Sequence, residues 1–244
     1  MERRIQTVIF FIFLFYSALF AQEVSQKQQI RIQLWAELEA YPGLVVSGSQ
    51  QDIVDSEQTQ EQKQPDEKEI FNVAITRLKE IGPFIAGGMI NGWKFDYVPE
   101  NKLRSIKESF TCEPAMSFDK KMNPLVYHKP EVMDERLYCW LCCDRTPSQQ
   151  LSFESWSSVT HPKIHGIGQG PVEDGFDGIK TACENAVKNA VREYWRTILK
   201  NKPKEITGTV LLIHNPRIYI KEGRYTVDLD FFMETGKIIP YSFY

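Results

Sequence analysis

Residues 172–202 read VEDGFDGIKTACENAVKNAVREYWRTILKNK and have the most regular pattern in the chain. Their apolar residues recur every three to four positions, which is the spacing of an amphipathic helix. Small residues recur every fourth position at Ala182, Ala186 and Ala190, so the backbone can approach the element it packs on. Pro203 follows the pattern and is expected to end it. The stretch therefore predicts one long helix with a buried face of small residues.

Strand patterns surround this helix. They lie at residues 163–167, 206–213, 217–221 and 225–232. The last two flank Glu222-Gly223-Arg224, a glycine-containing turn that predicts a β-hairpin. The resulting strand–helix–strand–strand order predicts an α+β fold, in which a mostly antiparallel sheet carries the long amphipathic helix on one face.

The upstream part of the chain adds further predicted elements. Residues 29–40 alternate strictly between apolar and polar, which predicts a strand with one buried face. Residues 69–81 have helical spacing, and we expect this helix to end at Gly82-Pro83. The remaining predicted elements are a turn of helix or a buried loop over 84–90, a short helix over 99–107, and strands over 93–97, 108–114, 136–144 and 150–157.

These patterns divide the chain into five parts. In chain order they are a signal peptide, an N-terminal strand segment, a polar flexible linker, a mixed helix and strand region, and the β-α-β-β unit, over residues 1–21, 22–46, 47–69, 70–160 and 161–244. We expect the last two parts to form one compact domain.

The first residues have the pattern of a secretory signal peptide. Arg3 and Arg4 precede an almost wholly apolar run over residues 7–20, and Ala21-Gln22 supplies a small-residue cleavage point. We therefore expect export to the periplasm or another extracytoplasmic part of a bacterial envelope. Membrane attachment is expected only if this segment stays uncleaved.

The charge balance narrows the class of partner. The chain has 29 Lys and Arg against 32 Asp and Glu, which gives a formal net charge of −3. A mildly acidic exported protein is not expected to bind nucleic acid, because phosphate binding needs an excess of positive charge. The sequence leaves self-association into a homo-oligomer open.

Cysteine residues raise the question of a metal site. Zinc sites commonly use two nearby cysteines together with histidines, and Cys139, Cys142 and Cys143 lie close in sequence. Alternation over 136–144 places Cys139 and Cys143 on one face of a strand and Cys142 on the other. We therefore expect buried thiols, and neither a metal nor a cofactor.

Two other patterns bear on chemistry. Gly166, Gly168 and Gly170 stand between a predicted strand and the long helix, where a phosphate-binding loop would sit. Their spacing is not that of the dinucleotide fingerprint, so we expect a flexible strand exit with backbone bends. Asp228 and Asp230 share one face of the last predicted strand, and we expect solvated side chains there rather than a catalytic pair.

The most prominent polar feature is a cluster of basic residues on the helix and the hairpin that follows it. Five of them form the predicted binding edge: Arg192, Arg196, Lys200, Lys202 and Arg217. The first three are spaced four apart, which places them in line on one helix face. Such an edge would bind an acidic protein or another acidic envelope component. The alternative is a solvated face without a partner.

The order of a glycine-punctuated strand, an alanine-spaced helix and a β-hairpin resembles the amino-terminal domain of flagellar assembly protein T and its relatives. The residues that carry the resemblance are Gly166, Gly168, Ala182, Ala186, Ala190 and the strands that end at Met233. The small flavin-storing dodecins share the same strand–helix–strand–strand order. The first resemblance implies an exported envelope protein with a structural or assembly role.

Three functions follow from these patterns, in order of preference. The first is a non-enzymatic exported protein that scaffolds or assembles part of the envelope, with an appendage such as the flagellum as one setting. The second is an extracytoplasmic small-ligand-binding protein with aromatic pocket walls, formed by Trp93, Phe95, Tyr97, Trp140 and Trp156. The third is a thiol or zinc enzyme.

Overall fold

The structure, a computed structural model, describes residues 28–38 and 67–241. The predicted signal peptide lies outside the described residues, as do residues 22–27 and most of the predicted linker. In the part of the chain that is described, no helix is both long enough and apolar enough to cross a membrane.

The described residues form three α-helices and nine strands, which confirms the predicted α+β fold. The helices are α1 (Glu67–Ile90), α2 (Pro147–Trp156) and α3 (Phe176–Ile198). The strands are β1 (Gln29–Glu37), β2 (Trp93–Val98), β3 (Ser109–Pro114), β4 (Val126–Met133), β5 (Arg136–Asp144), β6 (Lys163–Pro171), β7 (Glu205–Leu212), β8 (Arg217–Lys221) and β9 (Arg224–Ile239).

The strands form two antiparallel sheets. A six-stranded sheet has the order β3-β2-β7-β9-β6, with β8 also paired to β9, and a three-stranded sheet has the order β1-β5-β4. Helices α1 and α3 pack on the same face of the larger sheet. Phe84 of α1 contacts both Trp93 of β2 and Phe176 of α3, with ring centroids 5.0 and 5.8 Å apart. The core lies between these helices and this face, as the helix pattern predicts, and it extends to the buried faces of β1 and β5 in the smaller sheet.

Helix α3 packs closely on β6 because both elements lack bulky side chains where they meet. Ala182 and Ala186, which belong to the predicted stripe of small residues, and Val187 beside them are fully buried. Gly166 and Gly168 face this stripe, and a Cβ atom at Gly168 would collide with the backbone of Ala182 and Ala186. The predicted flexible strand exit is therefore wrong, because these glycines lie within a regular strand and permit a close approach of two backbones.

Two asparagines of α3 tie the helix to β6, which is an edge strand of the larger sheet. Asn185 Nδ2 donates to Gln169 O at 2.9 Å, and Asn189 Nδ2 donates to Ile167 O at 2.8 Å. Both the polar side and the apolar side of α3 therefore contact β6, and the two hydrogen bonds fix the position of the helix along the strand.

Hydrogen bonds between backbone and side-chain groups join β1 of the smaller sheet to the region of β8 in the larger one. Gln33 N donates to Asn215 Oδ1 at 3.0 Å, and Trp35 Nε1 donates to Ile218 O at 2.8 Å. The rings of Trp35 and Tyr225 also contact each other, with centroids 6.4 Å apart. The two sheets are thus connected through the backbone of Gln33 and the side chain of Trp35 in β1.

A buried ion pair completes this junction. Glu37 Oε2 accepts hydrogen bonds from Arg77 Nη1 at 3.3 Å and from Tyr225 OH at 3.1 Å. The Arg77 and Glu37 side chains are only 8% and 10% exposed. Alternation predicts Glu37 on the polar face of β1, but the residue is buried because α1 and β9 supply it with partners.

The first helix does not end at Gly82-Pro83 as predicted. Helix α1 continues through Pro83 to Ile90, so residues 84–90 belong to it. Proline removes one backbone hydrogen bond from a helix. The two turns that follow bury Ile85 and Ala86 completely, and this burial offsets the loss.

The predicted strand over 150–157 is also wrong, because these residues belong to α2. Thr146 Oγ1 accepts from Gln149 N at 3.3 Å, and Gln149 Oε1 accepts from Thr146 N at 2.9 Å. This reciprocal pair is a capping box, and Pro147 occupies the first turn, where its missing N–H costs nothing. The sequence Thr146-Pro147-Ser148-Gln149 contains this signal.

Other element boundaries differ less from the predictions. Helix α3 is shorter than 172–202, because Gly175 caps its start with a φ of 55° and Leu199 has extended backbone at its end. The predicted short helix over 99–107 is reduced to a single 3-10 turn at Lys102–Arg104. Strand β4 has no clear alternation in its sequence and was not predicted.

Candidate binding cleft

A cleft of about 440 Å³ opens where the last turns of α3 pass the paired ends of β2 and β7. Its lining comes from the end of β2 and the residues that follow, from the C-terminal part of α3, and from the residues that lead into β7. The cleft therefore exists only because the antiparallel pairing of β2 with β7 brings these segments to the same end of the sheet.

The floor of the cleft is apolar and recessed. It is formed by Tyr97, Pro99, Trp195, Leu199, Pro203 and Ile206. Ile206 is 0% exposed and Tyr97 is 4% exposed, so both lie below the molecular surface. Such a floor favours ligands with an apolar group that fits into the cleft, because this group leaves water on binding.

Four of the five residues of the predicted binding edge line this cleft, namely Arg192, Arg196, Lys200 and Lys202. Arg192 and Arg196 lie one turn apart on α3, as their spacing predicts. Lys200 does not continue this helical line, because α3 ends at Ile198. The segment after the helix still brings Lys200 and Lys202 to the rim of the same cleft.

Acidic residues neutralise part of the rim. Arg192 Nη1 lies 4.0 Å from Glu108 Oε1, and Arg196 Nη1 lies 3.3 Å from Glu193 Oε1. Both pairs are partly exposed, so each stabilises the fold only weakly and can exchange for another anion.

The remaining rim charges are less neutralised. Lys202 Nζ donates to Glu100 O at 3.0 Å, which is a neutral acceptor. Within the described ranges, Lys200 forms no ion pair. The cleft lining holds four cations against the carboxylates of Glu100 and Glu108, so its net charge is positive.

A hydrogen bond holds Tyr97 in place in the floor of the cleft. Its hydroxyl donates to Glu108 Oε1 at 2.8 Å. Burial and the neighbouring Glu108 raise the pKa of Tyr97 well above its usual range, so the phenol stays protonated and keeps donating. Glu108 is thereby held between Tyr97 and Arg192 in the lining of the cleft.

The structure does not bring Arg217 to this cleft. Arg217 is paired with Asp228 across β8 and β9, and its Nη1 lies 3.8 Å from Asp228 Oδ2. Its neighbour Ile218 packs against the core, so alternation places Arg217 on the face of the sheet opposite α3. The predicted binding edge is therefore not continuous. Its four residues at the end of α3 line the cleft, and Arg217 lies apart from them.

A second polar cluster lies on the same face of the larger sheet as Arg217. His165 Nδ1 lies 3.1 Å from Asp230 Oδ1 and 3.6 Å from Asp228 Oδ1. The register pairs His165 directly with Asp230. The Asp228 and Asp230 side chains are 17% and 37% exposed, so the predicted wet face is only partly solvated.

The described residues contain no group of three side chains placed to ligate a metal ion. The five cysteines are free thiols. Cys139 and Cys143 are buried on one face of β5 and Cys142 lies on the other, as alternation predicts. Burial raises the pKa of both Cys139 and Cys143 to about 11, so these thiols are protonated at neutral pH and are poor nucleophiles.

The aromatic residues predicted as pocket walls do not surround one site. Trp93 and Phe95 belong to the core, at 2% and 3% exposure. Tyr97 lines the cleft at the end of α3, and Trp140 lines a separate cavity of about 240 Å³ on the smaller sheet. Trp156 is the last residue of α2. The aromatic part of the cleft floor is formed by Tyr97 and by Trp195 of α3.

The fold and this site define an α+β protein with an apolar cleft rimmed by cations. A family model whose description names no function matches residues 16–241, and the chain belongs to this family of Treponema proteins. A relative from Treponema pallidum (strain Nichols), with the printed name "Uncharacterized protein", is 26% identical over 215 residues, which cover 88% of this chain and 83% of that protein. No solved structure matches the chain.

Proposed function

We propose that this protein is a non-enzymatic, exported component of the bacterial envelope that has a structural or assembly role and binds an acidic partner at the cleft. The observation that carries the proposal is the convergence of four basic side chains on one apolar cleft at the end of α3. The predicted signal peptide supports export, and the resemblance to flagellar assembly protein T supports an assembly role.

Electrostatic attraction explains why the cleft would select an acidic partner. The protein as a whole is slightly acidic, with a net charge of −3, so its average field repels anions. The rim is a local exception, because its cations outnumber the carboxylates that face them. Exposed charges act over about 10 Å at 0.1 M salt, so an acidic surface would be attracted only when it approaches this end of the molecule.

Co-sedimentation with envelope fragments from the producing bacterium tests the proposal. The variant Arg192→Glu/Arg196→Glu reverses two charges of the rim. The matched control Lys221→Glu/Arg224→Glu changes the net charge by the same amount at the β8–β9 turn, where both residues are exposed. Each protein is pelleted with fragments at about 0.01 M and about 1 M salt, where the screening lengths are about 30 and 3 Å.

We expect wild type and the control to pellet at low salt, and the cleft variant to remain in the supernatant. High salt should release the bound proteins. The β8–β9 turn lies near the start of α3, since Tyr225 packs beside Gly178. It is therefore on the order of 27 Å along the helix from Arg196, beyond the screening length of physiological salt. Equal pelleting of all three proteins at both salt concentrations would refute the proposal.

The size of the cleft supports a second candidate function, an extracytoplasmic small-ligand-binding protein. Its volume of about 440 Å³ falls within the usual range of small-molecule sites, about 300–1,000 Å³. A ligand that binds only the folded state raises the melting temperature as its concentration rises. A thermal-shift screen of small organic anions tests this candidate, and a melting temperature that no compound changes would contradict it.

Export itself is tested by the mass of the mature protein from envelope extracts. Cleavage after Ala21 predicts a mature chain that begins at Gln22. An intact Met1 would contradict cleavage and favour a membrane-attached form.

A further inference from the structure

The apolar floor of the cleft restricts what kind of acidic partner it can take. Among the floor side chains Trp195 and Leu199 are partly exposed and can contact a ligand, whereas Ile206 and Tyr97 are buried, and long basic side chains form the rim. A flat surface such as a lipid bilayer would contact the rim without reaching this floor. A narrow apolar group that projects from its carrier would reach it, and a peptide side chain has this shape.

The charges around the floor specify what would flank that apolar group. Arg192 and Arg196 lie along α3, while Lys200 and Lys202 lie in the segment that leaves it, so two successive segments of the chain supply the cations of the rim. Carboxylates placed before and after one apolar residue would meet both groups. Bidentate arginine–carboxylate pairs favour this arrangement because they fix direction as well as charge.

We propose that the cleft binds a short acidic peptide segment whose central apolar or aromatic side chain enters the floor, while the flanking carboxylates pair with the basic rim. This inference rests on the proposed function and names the chemistry of its partner. It requires two separable contributions to affinity, one from the apolar side chain on Leu199 and its neighbours, and one from charge on Arg196 and Lys200.

Fluorescence anisotropy with a labelled probe peptide separates the two contributions. The probe has one phenylalanine between two aspartates on each side, with blocked ends and a fluorescein on a glycine linker. One comparison peptide has alanine in place of phenylalanine, and a second has asparagine in place of every aspartate. Each is titrated with the mature wild-type protein, so these comparisons do not depend on the folding of any variant.

We expect the alanine peptide and the asparagine peptide each to bind at least about tenfold more weakly than the probe, because the first lacks the apolar side chain that leaves water on binding and the second lacks the carboxylates that pair with the rim. In the protein, Leu199→Asn should weaken probe binding by a similar factor. Leu103→Asn is the matched control, because Leu103 is 99% exposed and does not line the cleft. Circular dichroism melting shows whether each variant is folded.

Other outcomes would overturn the inference in identifiable ways. Equal binding of the phenylalanine and alanine peptides would mean that the cleft recognises charge alone. Vesicles of anionic phosphatidylglycerol that bind wild type but not Leu199→Asn, without binding of any peptide, would assign the floor to lipid. If no peptide binds while envelope co-sedimentation still depends on Arg192 and Arg196, the peptide inference fails and the proposed function stands.

Discussion

The buried ion pair at the junction of the two sheets makes a quantitative prediction. Arg77→Met replaces the guanidinium with an apolar side chain of similar length and leaves Glu37 buried without its cation. Glu37 is 10% exposed and its remaining partner at Oε2 is Tyr225, at 3.1 Å. Removing one member of a buried pair costs about 3–5 kcal/mol, because an uncompensated charge stays out of water. We expect a loss of this size in the free energy of unfolding.

The partner substitution should recover much of this loss. In Glu37→Gln/Arg77→Met neither buried side chain is charged, and the glutamine carbonyl can still accept from Tyr225. Replacement of a buried ion pair by neutral groups is often close to neutral in stability. We therefore expect the double variant to be more stable than Arg77→Met alone, with a coupling energy of about 2 kcal/mol or more.

Urea unfolding followed by circular dichroism measures these differences. Lys79→Met is the matched control, since it removes an exposed cation from the same helix and should change stability by less than about 0.5 kcal/mol. If Arg77→Met costs less than about 1 kcal/mol, or if the two substitutions have additive effects, Glu37 and Arg77 do not form a buried coupled pair and the described junction is incorrect.

Three further predictions concern the core. Gly168→Ala should destabilise the protein by about 1–3 kcal/mol or more, because its Cβ would collide with α3. Gly87→Ala, where the nearest atom would be 3.7 Å away, should be neutral or stabilising, and equal melting temperatures for the two variants would contradict the close packing of α3 on β6. Ala186→Asp should lower the melting temperature strongly, because it buries a carboxylate, and Val187→Ala should lower the free energy of unfolding by about 1 kcal/mol or more. An unchanged melting temperature for Ala186→Asp would mean that this face of α3 is not buried. Stability should fall as pH rises from about 9 to about 11. Burial raises the pKa of Cys139 and Cys143 to about 11 in the folded protein, so the unfolded state loses these protons at lower pH. A free energy of unfolding in urea that stays constant over this range would refute this prediction.

Some predictions of secondary structure and burial were wrong because tertiary contacts override the local preference of a residue, and one was wrong because a helix-capping pattern in the sequence was missed. Pro83 is a helix breaker by its chemistry, yet α1 continues because its next turns are buried against the sheet. Residues 150–157 show apolar residues at strand-like spacing, while the capping box between Thr146 and Gln149 indicates the helix that forms. Glu37 shows the same limit in β1, since its burial depends on an arginine forty residues away in the chain.

Only part of the cleft could be predicted from the sequence. The basic residues Arg192 and Arg196 are visible in the sequence as a line on a helix, and the structure places both on the rim. Trp195 lies between them within the helical pattern, and only the pairing of β2 with β7 makes it part of a floor. Arg217 lies in the β8–β9 hairpin, where it pairs with Asp228 on the face of the sheet opposite α3.

The sequence by itself determined the fold class, the long helix with its small-residue face, most strands and the line of Arg192 and Arg196 on that helix. These features depend on periodicity, which each segment carries in its own side chains. Tertiary structure alone decided the strand order, the junction at Glu37 and the cleft. Apart from the β8–β9 hairpin, which its turn residues predict, strand pairing and burial arise from contacts between residues far apart in the chain, and no local pattern specifies them.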